Sequence, residues 1–290
     1  WYQDWSSVAL SRSPGSPTWV KTFLSSINYY MEAKDKGDML GEMGWHPIPD
    51  GVNIPDEPRT LIREGRFNKA PLLITVSPNE TYGTIPDGIE VSVKLALDYV
   101  LNKTQEDIEQ SYEDTLTATG VMTRDHQDLV NQLLTDKLWT CDARSLASEM
   151  TRNGGRAYIG MFAHVPKFDP IGVTTSKICE HGATCHASEM LYVLPQGEGD
   201  GAMSKPGLEG EKAFSMRYSE SFLAFAYGKD QEHPWTAWDD TQPITFYDAS
   251  GTRTIRGYRR QQCDVLARAD GDRLPVSMHH TSQAMAGGML

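Results

Sequence analysis

The chain has 290 residues, of which 39% are hydrophobic and 23% charged, and its formal net charge at pH 7 is −12. This charge argues against a nucleic-acid partner, because binding phosphates requires a basic face. No run of about 18 apolar residues occurs, so the sequence predicts no transmembrane helix.

The first quarter of the chain predicts an irregular start, a helix, a loop with a short strand and a second strand. Residues 1–17 are irregular, and apolar residues at helical spacing predict a helix that begins at Thr18. Prolines are dense in residues 46–60, which predicts loop and a short strand and excludes a helix. Leu72–Val76 is a continuous apolar run flanked by prolines, which is typical of a strand buried on both faces.

The middle of the chain predicts helices between two buried strands. Helical patterns cover residues 88–102, 125–138 and 142–152, and residues 157–163 form a second short apolar run. Two buried strands separated by helices favour an α/β layered fold with a mostly parallel sheet.

The last third predicts a loop, two helices and a hairpin. Residues 196–210 are rich in glycine, but they neither follow a strand nor open a helix as a phosphate-binding loop does. The next helix carries Tyr218, Phe222 and Phe225, an aromatic stripe that is typical of a core face. A hairpin over residues 244–254, a helix that carries Cys263 and a loose tail over residues 274–290 complete the prediction.

Glu80 and His186 are the candidate catalytic residues. Glu80 follows the first predicted strand by four residues, and His186 lies in the loop after the second. Loops at the carboxyl ends of parallel strands carry the acid and the base of a hydrolytic triad in open α/β sheets. The alternative is a solvated loop carboxylate and a structural histidine, and spacing alone favours this alternative.

The cysteines near His186 allow other interpretations. Cys179, His181, Cys185 and His186 are possible zinc ligands, although structural zinc pairs have tighter spacing. A cysteine nucleophile at Cys185 is disfavoured, because adjacent residues on an extended loop point apart and a nucleophile must meet its base.

Cysteine count and sequons favour an oxidising, secreted setting. The four cysteines allow three pairings, and Asn79 and Asn102 are candidate glycosylation sites. The chain starts at Trp1, which is expected of a fragment or of a chain whose leader was removed.

Several segments resemble type-B carboxylesterases, the cholinesterase-like family, in the right order over roughly residues 45–265. They are Pro47-Ile48-Pro49-Asp50-Gly51-Val52, Leu61 to Gly65, Phe67 to Glu80, Ala157 to His164, Cys185-His186-Ala187-Ser188-Glu189 with the following Met190 to Val193, and Met216 to Gly228 with Trp235. The resemblance implies an α/β-hydrolase fold, with residues 1–290 forming a single partial domain from its C-terminal part.

The resemblance also implies roles for individual residues. His186 would be the general base and Glu80 the acid that orients it, in an esterase that forms an acyl-enzyme on a serine and needs no cofactor or metal. Cys141 and Cys263 would form the family's long-range disulfide. Cys179 and Cys185 would then close a small ring that braces His186, and Glu189 would have a structural role beside the site.

The sequence departs from the family in two ways. The family has glycine where this chain has Thr75, Thr81 and Ala187, which suggests a changed loop or a relaxed constraint. A glycan on Asn79 would crowd the acid, so we expect that sequon to be unused if the site works. The sequence also has no Gly-x-Ser-x-Gly nucleophile elbow and no His-Gly-Gly-Gly loop.

The expected partners therefore include an N-terminal segment of the same hydrolase domain, which would carry the serine and cover the sheet. A small ester is the expected substrate, and a homodimer is a further expectation from the resemblance. The alternative function is a non-catalytic cholinesterase-like module for adhesion or assembly.

Overall fold

The structure is a computed structural model that describes residues 49–82, 96, 108–123, 125–168, 183–194 and 206–269. The chain divides into two compact units, Trp1–Pro58 and Arg59–Leu290. In the described part of the first unit, the Asp50 carboxylate accepts hydrogen bonds from the backbone N–H groups of Val52 and Ile54, each at 2.9 Å. These bonds lower the pKa of Asp50 to about 2.

A four-stranded sheet organises the second unit. Its strands are β1 (Leu72–Val76), β2 (Ala157–Phe162), β3 (Pro243–Asp248) and β4 (Gly251–Arg256), and they lie in this order across the sheet. The first three strands are parallel, and β4 pairs antiparallel with β3. The two predicted strands and the predicted hairpin are confirmed, with β2 one residue shorter than expected. The predicted burial is confirmed for β2 but not for β1, in which only Val76 is buried and the other four residues are half-buried.

Burial explains why β2 reads as a continuous apolar run. All six of its residues are buried, because helices cover both faces of the sheet. Ala157, Ile159 and Met161 face one hydrophobic cluster, and the alternate residues Tyr158 and Phe162 face another.

Thr75 and Gly160 are complementary in size, a larger side chain beside a glycine, at the centre of the sheet. They lie opposite each other in the β1–β2 register. A Cβ atom at Gly160 would lie 3.0 Å from the Thr75 methyl and 2.7 Å from the indole of Trp235, so only glycine fits. Thr75 therefore occupies a regular strand position, and its side chain packs over the glycine.

The described helices pack on both faces of the sheet. They are α1 (Pro58–Arg63), α2 (Ile108–Ala118), α3 (His126–Thr135), a wide π-helical turn (Asp136–Thr140), α4 (Cys141–Arg152), α5 (Met190–Val193), α6 (Glu209–Ala226) and α7 (Arg260–Ala269). Among the described residues, no helix has the length and apolarity needed to cross a membrane.

Two helix predictions need correction. Helix α1 begins inside residues 46–60, where proline density predicted none, because Pro58 occupies the first helical position and its missing N–H costs nothing there. The predicted break between residues 138 and 142 is replaced by the wide turn, which joins α3 directly to α4. The predicted helix that begins at Thr18, the helix over residues 88–102 apart from Ala96, and the tail over residues 274–290 lie outside the described residues.

Two hydrophobic clusters hold the layers together. One lies between the sheet and α4 and includes Ala143, Ala147 and Met150. The other is aromatic and lies between the sheet and α6. It contains Tyr218, with Phe222 and Phe225 packed against it, so the stripe belongs to the core as predicted.

A disulfide links the start of α4 to α7. It joins Cys141 to Cys263, whose Cα atoms are 5.2 Å apart and which are separated by 122 positions in the sequence. The structure therefore contains the long-range disulfide that the resemblance implies.

Candidate active site

The loops after β1 and β2 meet at one edge of the sheet. The two strands are adjacent and parallel, so their carboxyl ends lie side by side. An isolated parallel bridge between Asn79 and Cys185 extends this pairing into the loops. The side-chain amide of Asn79 also donates a hydrogen bond to the carbonyl oxygen of Thr184 at 3.2 Å.

Glu80 is buried in the first of these loops, with 5% of its surface exposed. Its Oε1 atom accepts a hydrogen bond from the backbone N–H of Ser77 at 2.6 Å, which closes a short turn after β1. This bond orients the carboxylate and leaves Oε2 for a second donor.

His186 supplies that second donor. Its Nδ1 atom lies 2.6 Å from Glu80 Oε2, and 53% of its side chain is exposed. The hydrogen bond to Glu80 raises the pKa of His186, and the charges of Glu80 and Glu189 act in the same direction against the opposing effect of burial. With Nδ1 donating to the carboxylate, the neutral ring carries its lone pair on Nε2.

Local hydrogen bonds shape the loop that carries His186. The backbone N–H of Cys185 donates to Ser188 Oγ at 3.0 Å, and the backbone N–H of Ser188 donates to the carbonyl oxygen of Cys185 at 3.1 Å. Thr184 Oγ1 donates to the carbonyl oxygen of His164 at 2.8 Å, which ties the loop to the end of β2. Cys185 is disulfide-bonded.

Ala187 keeps the backbone geometry that glycine favours. Its φ angle is +60°, in the left-handed region. Alanine costs about 1–2 kcal/mol in this region. The loop beside His186 therefore keeps the shape that glycine favours. Alanine at position 187 strains the backbone there without changing the loop.

Thr81 anchors the acid-bearing loop to α3. Its hydroxyl donates to the carbonyl oxygen of Asn131 at 2.6 Å and lies 3.0 Å from Thr135 Oγ1. Its backbone N–H also donates to Thr135 Oγ1 at 3.2 Å. The hydroxyl of the threonine therefore makes contacts that a glycine could not make, and the relaxed constraint stays a prediction.

Trp139 lies beside the base. Its ring and the ring of His186 have centroids 5.9 Å apart and planes inclined by 58°. The sequence analysis missed both Trp139 and the contacts of Thr81. Thr81 stands where the family has glycine, which was a usable signal, whereas no pattern in the sequence marks Trp139.

Glu189 lies directly before α5, three residues after His186. Burial and the nearby charge of Glu80 raise its pKa, because both disfavour a second carboxylate charge. The structure thus places Glu189 close to the acid and the base, without a direct hydrogen bond to either among the described residues.

The remaining predicted site residues are only partly described. Cys179, His181 and Asn102 lie outside the described residues. Within the described part of the chain, no group of three or more His, Cys, Asp or Glu side chains is arranged to hold a metal ion. The amide of Asn79 donates to the carbonyl oxygen of Thr184, and the expectation that this sequon is unused stays a prediction.

Comparison with known proteins covers this site. A family model described as "Carboxylesterase family" matches residues 24–266, which include Glu80 and His186. A relative named "Crystal protein", from Dictyostelium discoideum, is 25% identical over 201 residues, covering 66% of this chain and 34% of the relative. The chain therefore spans about a third of that relative's length. The match to the family model, together with the mostly parallel sheet, confirms the predicted fold class.

Proposed function

Because this chain belongs to the carboxylesterase family, we propose that it carries the acid and the base of a serine esterase with an α/β-hydrolase fold. The observation that carries the proposal is the hydrogen bond between Glu80 Oε2 and His186 Nδ1, at the carboxyl ends of two parallel strands. A buried carboxylate and a half-exposed imidazole in this order match the requirements for general base catalysis.

The chemistry assigned to His186 is proton transfer at Nε2. A serine hydroxyl loses its proton to Nε2 as its oxygen attacks the ester carbonyl, and the alcohol takes that proton as the carbon–oxygen bond breaks. Water then repeats the sequence on the acyl-enzyme and releases the acid. Glu80 stabilises the imidazolium that forms in both steps, since its negative charge lies 2.6 Å from Nδ1.

The nucleophile belongs to a segment outside this sequence, which has no Gly-x-Ser-x-Gly elbow. We propose that a longer polypeptide supplies this segment, together with the donors that stabilise the oxyanion. That segment is also the proposed neighbour of β1 on the side away from β2, where the described residues contribute no further strand.

The proposed substrate is a small carboxylic ester, and the reaction needs no metal or organic cofactor. The Cys141–Cys263 disulfide supports a secreted protein, since such bonds persist in oxidising compartments. A homodimer and glycosylation at Asn102 belong to the same proposal.

A second candidate function is a non-catalytic module for adhesion or assembly. One observation favours it: the printed name of a relative, "Crystal protein", states no reaction. The residue at the centre of the upstream elbow decides between the two. A serine there supports the esterase, and any other residue supports the module.

Hydrolysis of a short-chain chromogenic ester by the full-length protein tests the proposal. His186→Ala should lower kcat by at least about 1,000-fold, because the serine loses its base. His126→Ala is the matched control, since this exposed histidine begins α3, about 14 Å along the helix from Thr135 and about 8 Å from Asn131, the two residues that contact the acid loop. Equal rates for the wild-type protein and His186→Ala would remove the catalytic assignment.

A further inference from the structure

The wide turn between α3 and α4 places an indole ring beside the base. The backbone N–H of Cys141 donates to the carbonyl oxygen of Asp136, five residues earlier, as in a π-helix. Trp139 lies in this turn and packs on the cluster between the sheet and α4. It also contacts the ring of His186, so the indole connects the core to the base.

Buried polar contacts hold this turn in place. Asp136, with 1% of its surface exposed, accepts hydrogen bonds from Tyr112 Oη at 2.7 Å and Gln132 Nε2 at 3.2 Å. Arg259 Nε lies 3.4 Å from the same carboxylate. An anchored turn of this kind fixes the backbone of Trp139, so its side chain is a rigid neighbour and not a mobile surface group.

The His186 ring needs a rigid neighbouring side chain to fix its orientation. Among the described residues, its side chain makes one hydrogen bond, the one to Glu80, and more than half of the side chain is exposed. One hydrogen bond leaves the ring free to tilt about the Nδ1–carboxylate axis and leaves the bond open to competing water. A packed ring on the side of the imidazole restricts both.

We propose that Trp139 is a positioning residue, which holds the ring of His186 against Glu80 and shields their hydrogen bond from water. This inference rests on the proposed function for its catalytic consequence. How firmly Trp139 fixes the orientation of the His186 ring can be measured whether or not the protein hydrolyses esters.

Removing the indole should disorder the ring. In Trp139→Ala, His186 leaves Glu80 for part of the time, so kcat should fall about 10- to 100-fold, as misplaced catalytic groups typically cause. KM should stay within about twofold, because ground-state binding does not depend on the orientation of the base. Trp139→Phe keeps an aromatic contact and should restore kcat to within about threefold of the wild-type value.

The closing experiment follows the ring Cε1–H signal of His186 by NMR during a pH titration of the full-length protein, with His186→Gln assigning the signal. In Trp139→Ala the pKa of His186 should fall towards its ordinary value, because the hydrogen bond to Glu80 is the largest cause of the raised pKa and its loss outweighs the reduced burial, which acts in the opposite direction. Glu80 and Glu189 are the charged groups that act on His186, and they are unchanged in this variant.

The matched control is Leu138→Ala, which shortens an exposed side chain of the same turn and leaves Trp139 in the sequence. It should leave the His186 titration and kcat unchanged. An unchanged pKa in Trp139→Ala, or an equal change in Leu138→Ala, would overturn the positioning role. If the wild-type protein hydrolyses no ester while the pKa still depends on Trp139, the proposed function fails and the positioning role stands.

Discussion

Replacing Glu80 by glutamine removes the negative charge of the acid while keeping its size. The carboxylate accepts two donors, the backbone N–H of Ser77 and Nδ1–H of His186, one on each oxygen. Glutamine has a single acceptor oxygen, so its amide NH₂ must face one of these two donors. Hydrogen bonds to charged groups contribute about 1.5–3 kcal/mol, which corresponds to a loss of about 10- to 150-fold in kcat.

The loss is larger if the amide NH₂ faces His186. The neutral ring then carries its proton on Nε2 and has no lone pair there to accept the serine proton, and kcat should fall by about 10⁴-fold. If the amide NH₂ faces Ser77 instead, the backbone N–H of Ser77 loses its acceptor, and the free energy of unfolding should fall by about 1–3 kcal/mol.

The pH dependence follows from the raised pKa of His186. A raised folded-state pKa means that protonation of His186 stabilises the fold below its unfolded pKa, and this contribution disappears as the pH rises through the folded pKa. Glu80→Gln lowers the folded pKa, so the difference in unfolding free energy between the two proteins should shrink as the pH rises from about 5 to about 9.

The assays are denaturant unfolding, ester hydrolysis and an NMR titration of His186. Glu211→Gln is the matched control, because Glu211 is also a buried carboxylate with two partners, His164 and Tyr192. It should lower stability without moving the pKa of His186. The same His186 pKa in Glu80→Gln and in the wild-type protein would refute the assignment of Glu80 as the acid.

Two further predictions concern the framework of the site. Replacing Cys141 and Cys263 together by alanine should lower the free energy of unfolding by about 5 kcal/mol, because the unfolded chain is no longer constrained by a loop of this length. A denaturant titration under oxidising conditions measures the change, and an unchanged midpoint would contradict the prediction. Thr81→Val keeps the shape of the side chain but removes the hydroxyl hydrogen bond to Asn131, and should lower the free energy of unfolding by about 1–2 kcal/mol and also lower kcat. Thr81→Ser keeps the hydroxyl and should retain most of the stability and of kcat. If Thr81→Ser behaves like Thr81→Val, the hydrogen bond to Asn131 does not anchor the loop.

The sheet could be predicted from the sequence because its signal is local. A short apolar run flanked by prolines predicts the strand Leu72–Val76 with the bounds that the structure gives it, although only Val76 of this strand is buried. Helix α1 was missed because the same proline that excludes a helix interior is favourable at its first position. The wide turn was missed because the apolar pattern hardly changes when one turn widens.

The acid and the base could be proposed from the sequence because each follows a strand that the sequence reveals. Their role depended on resemblance, since spacing alone could not show that Glu80 and His186 meet. Thr81 and Trp139 were beyond this reasoning, because both act across contacts between segments about 50 residues apart in the sequence. Such contacts are set by how α3 and the wide turn pack on the loops.

The Cys141–Cys263 disulfide closes a covalent ring that contains one of the two site residues and leaves the other outside it. His186 lies inside the closed ring of residues 141–263, whereas Glu80 lies on the open chain before it. A protease that cuts once inside the ring therefore linearises it without releasing a piece, and the nicked chain migrates as one band until a reductant separates it into two. The segment that carries the base thus stays tethered after a cut that would free it from a chain without this bond.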